Sequence, residues 1–192
     1  LVVFDDLLTA IDDRNHILVT LLDYSAAFDT IDHNILFTKL CSSYGLSGNA
    51  LEWVTSYFSN RHQAVCIKGV SSEEQDLLYG MPQGSIFGPF SYPKYSAPIA
   101  RIAQKHNVSY HQYADDTQLY VKCDSSNVHD QKEMLQNCIE EIRSWSTGNM
   151  LKLNDSKTEF LIVGSKFARN KPDVESIVIG EETVTAAASA RN

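Results

Sequence analysis

Two adjacent carboxylates stand in an aromatic, strand-like stretch of the chain, QYADDTQLY at residues 112–120. Because Asp tolerates turn geometry, Asp115 and Asp116 taken alone predict a tight turn between two strands. A third carboxylate, Asp23, ends the apolar run ILVTLLDY, whose branched residues are typical of a strand buried on both faces. If both strands belong to one sheet, the three carboxylates can project from the same edge.

Carboxylates gathered at one edge would place like charges a few ångströms apart, and such groups either share a proton or bind a cation. Mg²⁺ prefers oxygen ligands, and at polymerase-type sites one or two carboxylates are completed by substrate phosphates. Two such ions about 4 Å apart can activate the attacking oxygen and stabilise the leaving oxygen of a phosphoryl displacement. The residues therefore predict a two-metal site for Mg²⁺, with Mn²⁺ as an alternative ion.

Apolar residues at helical spacing predict the helices that position these strands. The first helix covers residues 2–13, with Val3, Leu7, Leu8 and Ile11 on one face. The other predicted helices run from Asp32 to near Gly45, from Ser47 or Asn49 onward, after MPQGS with interruptions at Pro93 and Pro98, and from about Leu135 to Gly148.

Strand-like segments account for most of the remaining chain. They are a hairpin of QAVCIKG with EQDLLYG, two strands around Ala114–Asp116, and the closing strands in LKLNDSKTEFLIVG and ESIVIGEETVTA. The order of elements predicts an α+β fold with helices on one face of a sheet.

Four stretches in this order carry a resemblance to a known family: LLDYSAAFDTIDH, GMPQGSIFGP, YADD and LKLNDSKTEFLIVG. They resemble palm motifs A, B, C and D of reverse transcriptases, and more narrowly those of LINE-type, non-LTR retrotransposons of the jockey-like group. The resemblance implies a polymerase palm, a ferredoxin-like antiparallel sheet packed on helices, with part of the fingers connection. It implies one partial domain over 1–192, with motif A at 17–33, B at 80–98, C at 110–121, D at 145–164 and the start of E at 176–192.

The resemblance also assigns the metal ligands. Asp23 and Asp115 would be the two main ligands of two Mg²⁺ ions, and Asp116 an auxiliary one. Lys157 matches the motif D lysine that is proposed to protonate the pyrophosphate leaving group. Taken without the resemblance, Lys157 is equally well explained as a solvated lysine on a strand.

Three further residues fall at nucleotide-binding positions of the family. Phe28 would be the steric gate, whose ring excludes a ribose 2′-OH and so selects deoxynucleotides. Gln83 and Gly84 would form the loop that lies against the incoming nucleotide and the template, where glycine permits close backbone approach. Without the neighbouring motifs, Phe28 would be interpreted as a core residue and PQGS as an ordinary turn.

The net charge of −8 argues against this surface gripping a phosphate backbone by itself, because nucleic-acid affinity rests on Lys and Arg. Fingers and thumb normally supply that basic groove, and we expect most of the fingers and all of the thumb to be absent from these residues. The expected partners are an RNA template, a DNA primer, dNTPs and those missing parts, and we expect little activity from the chain alone. No apolar run approaches the ~20 residues that cross a bilayer, so no membrane is expected; the expected location is intracellular, and nuclear by the resemblance.

Two alternatives stay open at the level of sequence. An RNA-dependent RNA polymerase is also a palm enzyme, although PQGS, YADD and Phe28 favour DNA synthesis. A decayed or non-catalytic interaction module is the other alternative, because GPFSYPKY places Ser91, Pro93 and Lys94 where family members continue an apolar helix. A proline inside a helix costs about 3 kcal/mol.

Overall fold

The computed structural model describes residues 2–82, 84–164 and 172–187. They fall into two compact units, one within 1–25, 97–148 and 152–192 and the other within 26–96 and 149–151. In chain order the elements are α1 (Val2–Asp12), β1 (His16–Leu22), α2 (His33–Tyr44), α3 (Gly48–Phe58), β2 (His62–Gln63), β3 (Cys66–Ile67), β4 (Val70–Ser71), β5 (Gln75–Asp76), α4 (Phe87–Ser96), α5 (Pro98–Lys105), β6 (Ser109–Tyr113), β7 (Asp116–Cys123), α6 (Val128–Gly148), β8 (Glu159–Gly164), β9 (Ser176–Ile179) and β10 (Glu182–Ala187).

The first unit is built on a six-stranded sheet in the order β6-β7-β1-β8-β10-β9. All neighbouring strands are antiparallel except β8 and β10, which run parallel. The sequence patterns predicted this mixed α+β fold with a mainly antiparallel sheet, and the prediction is confirmed. The predicted hairpin of motif C is also present as β6 and β7.

Both faces of β1 are covered, which corrects the expectation of helices on one face only. Ile17 and Val19 form a core cluster with Val3 and Leu7 of α1. The alternating residues Leu18 and Leu22 are equally buried, on the face where α6 packs. The short branched run of β1 is therefore covered on both faces, with only Leu21 partly exposed, as expected for a central strand.

The helix over 2–13 is confirmed as α1, but one of its predicted core positions is wrong. Leu8 is 44% exposed, whereas Ala10 is buried and the partly buried Val3 and Leu7 pack against the same cluster. The helix is rotated slightly from the predicted face because Val3, Leu7 and Ala10 also lie at i, i+4, i+7 spacing. The smaller Ala10 side chain lets α1 lie close to the strand.

In the second unit, helix α2 shows both caps that the sequence predicted. The Asp32 carboxylate accepts a hydrogen bond from the Ile35 N–H at 2.9 Å. Gly45 ends the helix with φ +68°, a left-handed conformation that glycine adopts without a Cβ penalty. Helix α3 begins at Gly48, directly after Ser47, which makes no side-chain cap hydrogen bond.

The hairpin predicted from QAVCIKG and EQDLLYG differs in detail. Only β2 and β5 pair across the long arms, and a second small hairpin of β3 and β4 forms the tip. The tip turns at Lys68 and Gly69, which both have positive φ and so suit a two-residue hairpin turn. Residues 77–80 are outside any strand, apart from one bridge between Tyr79 and Asp32.

The helix predicted after motif B is also present, but it is not interrupted at Pro93. α4 runs through Pro93 without ending there, and Pro98 is the first residue of α5, where its missing N–H costs nothing. Lys94 lies over the Phe90 ring, 3.4 Å from its centroid, and donates to the Phe90 carbonyl at 2.9 Å. Over the described ranges, no helix is both long enough and apolar enough to traverse a bilayer.

Candidate active site

Asp23 and Asp116 occupy facing ends of the two neighbouring strands at the centre of the first unit. Leu22 of β1 pairs with Thr117 of β7, so Asp23 directly follows this pair on one strand and Asp116 directly precedes it on the other. Both carboxylates line one groove of about 990 Å³. The sheet register therefore brings together two of the three carboxylates that the sequence singled out.

Asp115 lies in the turn that joins β6 to β7. Tyr113 pairs with Asp116, which leaves Ala114 and Asp115 as the two central residues of the hairpin turn. Ala114 has φ +54°, a conformation that costs a residue with a Cβ atom about 1–2 kcal/mol. In the parts of the chain that the structure describes, no three His, Cys, Asp or Glu side chains are grouped to hold an ion. That Asp23, Asp115 and Asp116 share one ion therefore stays a prediction.

The Asp23 carboxylate has an unusual environment. Its Oδ2 atom is buried and, within the described residues, makes no hydrogen bond. The nearest cation is the Lys157 ammonium, 3.6 Å from Oδ2. A buried carboxylate oxygen without a hydrogen bond is costly unless a cation compensates it. Asp23 and Asp116 therefore form a donor set that fits a divalent cation completed by phosphate oxygens or water.

Lys157 reaches Asp23 from a short 3₁₀ turn, Asp155–Lys157, that precedes β8. The sequence predicted strands in LKLNDSKTEFLIVG, but in the structure β8 begins only at Glu159, and residues 154–158 are not part of it. The turn is attached to the end of β1, because the Asn154 N–H donates to the Asp23 carbonyl at 2.9 Å. Because Lys157 lies in this turn, it does not pair with β1, and its side chain lines the groove that Asp23 also lines.

Two residues near the site were missed from the sequence. The hydroxyl of Tyr24 lies 3.0 Å from that of Ser146 in α6, and burial raises the pKa of Tyr24 to about 12, so the phenol stays neutral. Arg143, one helical turn before Ser146, forms a two-point ion pair with Asp155. No local signal marks either residue, because their partners lie 122 and 12 positions away.

The remaining predicted residues belong to the second unit. Phe28 is half-buried and stacks on Tyr92, with ring centroids 4.8 Å apart. Its carbonyl accepts a hydrogen bond from the Met81 N–H at 2.8 Å, which ties motif A to the start of motif B. Gly84 is exposed and has φ +74°. Gln83 lies outside the described residues, and the nucleotide-binding roles of these three residues stay predictions.

Glycine is required at residue 80 where these two motifs meet. Gly80 has φ +87°, and a Cβ atom there would lie 2.8 Å from the Asp29 carbonyl oxygen. The Gly80 N–H donates to the Ile31 carbonyl at 2.8 Å. The backbone of motif B therefore approaches the end of motif A more closely than any side chain would allow.

Comparison with known proteins matches this arrangement to one family. The profile of the family described as reverse transcriptase (RNA-dependent DNA polymerase) matches residues 4–183. Among curated relatives, the probable RNA-directed DNA polymerase from transposon BS of Drosophila melanogaster is 26% identical over 157 residues, 79% of this chain and 17% of that protein. The RNA-directed DNA polymerase from the mobile element jockey of the same organism is 24% identical over 78% of this chain and 16% of that protein.

Solved structures give the same fold. Apo telomerase from Candida tropicalis, truncated from its C-terminal domain, superposes with a TM-score of 0.63 at 14% identity over 96% of this chain and 38% of that chain. Telomerase from Candida albicans, in complex with a fragment of telomeric RNA, superposes with a TM-score of 0.59 at 13% identity over 96% of this chain and 32% of that chain. The chain spans about one sixth of the curated relatives it matches. With the family match covering nearly the whole chain, the protein belongs to the reverse transcriptase family.

Proposed function

We propose that residues 1–192 carry the palm chemistry of an RNA-directed DNA polymerase of a LINE-type retrotransposon, which adds deoxynucleotides to a DNA primer on an RNA template. One observation carries the proposal: Asp23 and Asp116 line the same groove at the ends of adjacent antiparallel strands. In that groove the buried Oδ2 of Asp23 has the Lys157 ammonium as its nearest cation. This is the arrangement expected of carboxylates built to hold a divalent cation.

The cation we assign is Mg²⁺, with Mn²⁺ as an alternative. Asp23 and Asp116 would hold it, and Asp115 would join them from the adjacent turn. When bound, Mg²⁺ activates the attacking oxygen and stabilises charge on the leaving one. The protein's own contribution is to fix the carboxylates on two rigid neighbouring strands, which keeps the donor set in place before any substrate arrives.

Lys157 provides the second chemical function. Its ammonium lies at the rim of the groove with 68% of the side chain exposed, so a phosphate can approach it. We assign it to donate that proton to the departing pyrophosphate. Phe28 is assigned to exclude the ribose 2′-OH, and Gln83 with Gly84 to contact the incoming nucleotide and the template.

The partners follow from the same proposal. A template, a primer and dNTPs are the substrates, and fingers and thumb segments supply the basic surface that a chain of net charge −8 does not. The nucleus is the location we propose, because a LINE-type polymerase acts on chromosomal DNA.

Metal binding by the chain tests the site directly. We expect titration with Mn²⁺, followed by the electron paramagnetic resonance signal of the free ion, to detect binding that Asp23→Asn weakens by about tenfold or more. The matched control is Asp12→Asn, the same change at an exposed position at the end of α1. Equal affinity in the two variants would remove Asp23 from the metal site.

Primer extension tests the reaction. In a polymerase that contains these residues, we expect DNA synthesis on an RNA template that Asp23→Asn abolishes and Asp12→Asn retains. Parallel reactions with ribonucleotides separate reverse transcription from RNA synthesis. Extension that survives Asp23→Asn would contradict the proposed function.

A further inference from the structure

The ion pair between Arg143 of α6 and Asp155 connects the helix layer to the turn that carries Lys157. Arg143 Nη2 lies 2.5 Å from Asp155 Oδ1, and Nη1 lies 3.1 Å from Oδ2. Only 22% of the Arg143 side chain and 26% of the Asp155 side chain are exposed. A two-point contact of this kind fixes the orientation of both groups, whereas a single contact leaves each free to rotate.

The guanidinium is also held from its other side. A Cβ atom on Gly180, in the turn between β9 and β10, would lie 3.0 Å from Arg143 Cζ. The guanidinium therefore packs over backbone that only a glycine leaves open. The hydrogen bond to the Asp155 carboxylate raises the pKa of Arg143, so the guanidinium keeps its proton and its charge at neutral pH.

Asp155 is the first residue of the 3₁₀ turn, and Lys157 is the last. Asn154 immediately precedes the turn, and its N–H donates to the Asp23 carbonyl at 2.9 Å. A shift of Asp155 would move Lys157 relative to the Asp23 carboxylate, because only one residue separates them in a tight turn. The salt bridge between Lys157 and Asp23 is 3.6 Å long and its Lys157 side chain is 68% exposed, so it is too weak to hold the turn by itself.

We infer that Arg143 is a positioning residue: its two-point contact with Asp155 fixes the 155–157 turn so that the Lys157 ammonium lies beside the Asp23 carboxylate. This inference rests on the proposed function for its chemical consequence, the delivery of a proton from Lys157. Its structural content is independent of that function. Arg143 contacts neither the substrates nor the reacting atoms.

The structural content is tested in the 192-residue chain by nuclear magnetic resonance of the lysine Cε–Hε groups, with the Lys157 signal assigned from Lys157→Arg. In the unmodified chain, Asp23→Asn should shift the Lys157 signal, because the neighbouring carboxylate is neutralised. In Arg143→Ala, the Lys157 signal should move, and its response to Asp23→Asn should be lost. Asp155→Asn, which keeps the shape of the side chain, should give the same loss without removing the arginine.

The control and a graded variant separate positioning from general stabilisation. Glu141→Gln breaks the ion pair between Lys105 and the same helix, so it should leave the Lys157 signal and its response to Asp23→Asn unchanged. Arg143→Lys should restore part of the response, because it keeps the charge and loses the second contact. A full response to Asp23→Asn in Arg143→Ala and Asp155→Asn would overturn the inference.

The chemical consequence is tested in a polymerase that contains the chain. Arg143→Lys should lower kcat by about 10- to 100-fold while the KM for dNTP stays within about twofold, because misplacement affects the reaction more than binding. Equal kcat in Arg143→Lys and the unmodified protein would overturn the inference. Absence of synthesis by the unmodified protein would instead reject the proposed function, and the resonance experiment would still decide the role of Arg143.

Discussion

Phe28 is the residue to which the proposed function assigns the selection of deoxynucleotides over ribonucleotides. Its ring is only half-buried and is supported on one side by Tyr92, at 4.8 Å between centroids. Its carbonyl accepts a hydrogen bond from the Met81 N–H, which helps to hold the backbone at this position. A ring held in this way can exclude a hydroxyl group by size alone.

Replacing this ring should relax sugar selectivity. In a full-length polymerase that contains the chain, Phe28→Ala should increase the use of ribonucleotides relative to deoxynucleotides, because the space filled by the ring becomes open. The measurement is the ratio of kcat/KM for a matched dNTP and rNTP pair. Phe28→Tyr keeps the ring and serves as the control, and an unchanged ratio in Phe28→Ala would show that the gate lies elsewhere.

At the scale of elements, α5 and α6 are joined by an ion cluster at the surface of the first unit. Glu141 of α6 accepts hydrogen bonds from Lys105 at 2.7 Å and contacts the His106 ring nitrogen at 2.7 Å. The hydrogen bond from Lys105, followed by that from His106, holds the pKa of Glu141 below its ordinary value of 4.5. The cluster ties the C-terminal end of α5 to the middle of α6.

This depressed pKa predicts a loss of stability in acid. The contribution of a carboxylate whose folded-state pKa is lowered is fully present above its unfolded pKa and is lost as the pH falls through the folded one. We therefore expect the melting temperature of the unmodified chain to exceed that of Glu141→Gln at pH 7, and the difference to shrink below about pH 4.5. Thermal unfolding followed by circular dichroism measures both. A difference that is the same at pH 7 and in acid would contradict the assignment.

Helix α4 forms although it contains Ser91, Pro93 and Lys94, three residues that are unfavourable inside an apolar helix. Pro93 has no N–H to donate to the Pro89 carbonyl, and Pro89 is exposed, so water can reach that carbonyl. Lys94 lies over the exposed Phe90 ring and does not enter the core. Ser91 is buried, and among the described residues its hydroxyl has no hydrogen-bond partner, which leaves one uncompensated cost in this helix.

At the scale of the whole molecule, the net charge bears on the binding of nucleic acid. The chain carries 24 acidic and 16 basic residues, so its net charge opposes the approach of a phosphate backbone. In the proposed function the chain holds the reacting centre, and fingers and thumb segments hold the duplex.

This charge balance predicts an unusual salt dependence. The affinity of a basic protein for nucleic acid falls by about 10³–10⁵ between 50 and 200 mM salt, because bound counterions are released. For this chain we expect weak binding to a DNA-primed RNA duplex and a change of less than about tenfold over the same range. Fluorescence anisotropy with a labelled duplex measures the slope. A steep loss of affinity with salt would reveal a basic surface that the net charge conceals.

The sequence by itself determined the family, the central strand, the motif C hairpin and the caps of α2. These features depend on short-range rules: a branched apolar run forms a buried strand, Asp32 accepts from the N–H three residues later, and Gly45 adopts a left-handed conformation. The family assignment rests on four motifs that occur together in a fixed order, because each motif taken alone has an ordinary structural explanation. Asp23 and Asp116 could be named as candidate metal ligands because they lie in two of these motifs, A and C.

Only the tertiary structure decided what surrounds those carboxylates. The sequence predicted strands in LKLNDSKTEFLIVG, whereas residues 154–158 depart from strand geometry: the Asn154 N–H donates to the Asp23 carbonyl, and Asp155–Lys157 then forms a 3₁₀ turn before β8. The contact between Lys157 and Asp23 and the pairing of Arg143 with Asp155 follow from that departure. Such contacts join residues far apart in the sequence, so they depend on how strands and helices pack, and no local pattern of residue types carries that information.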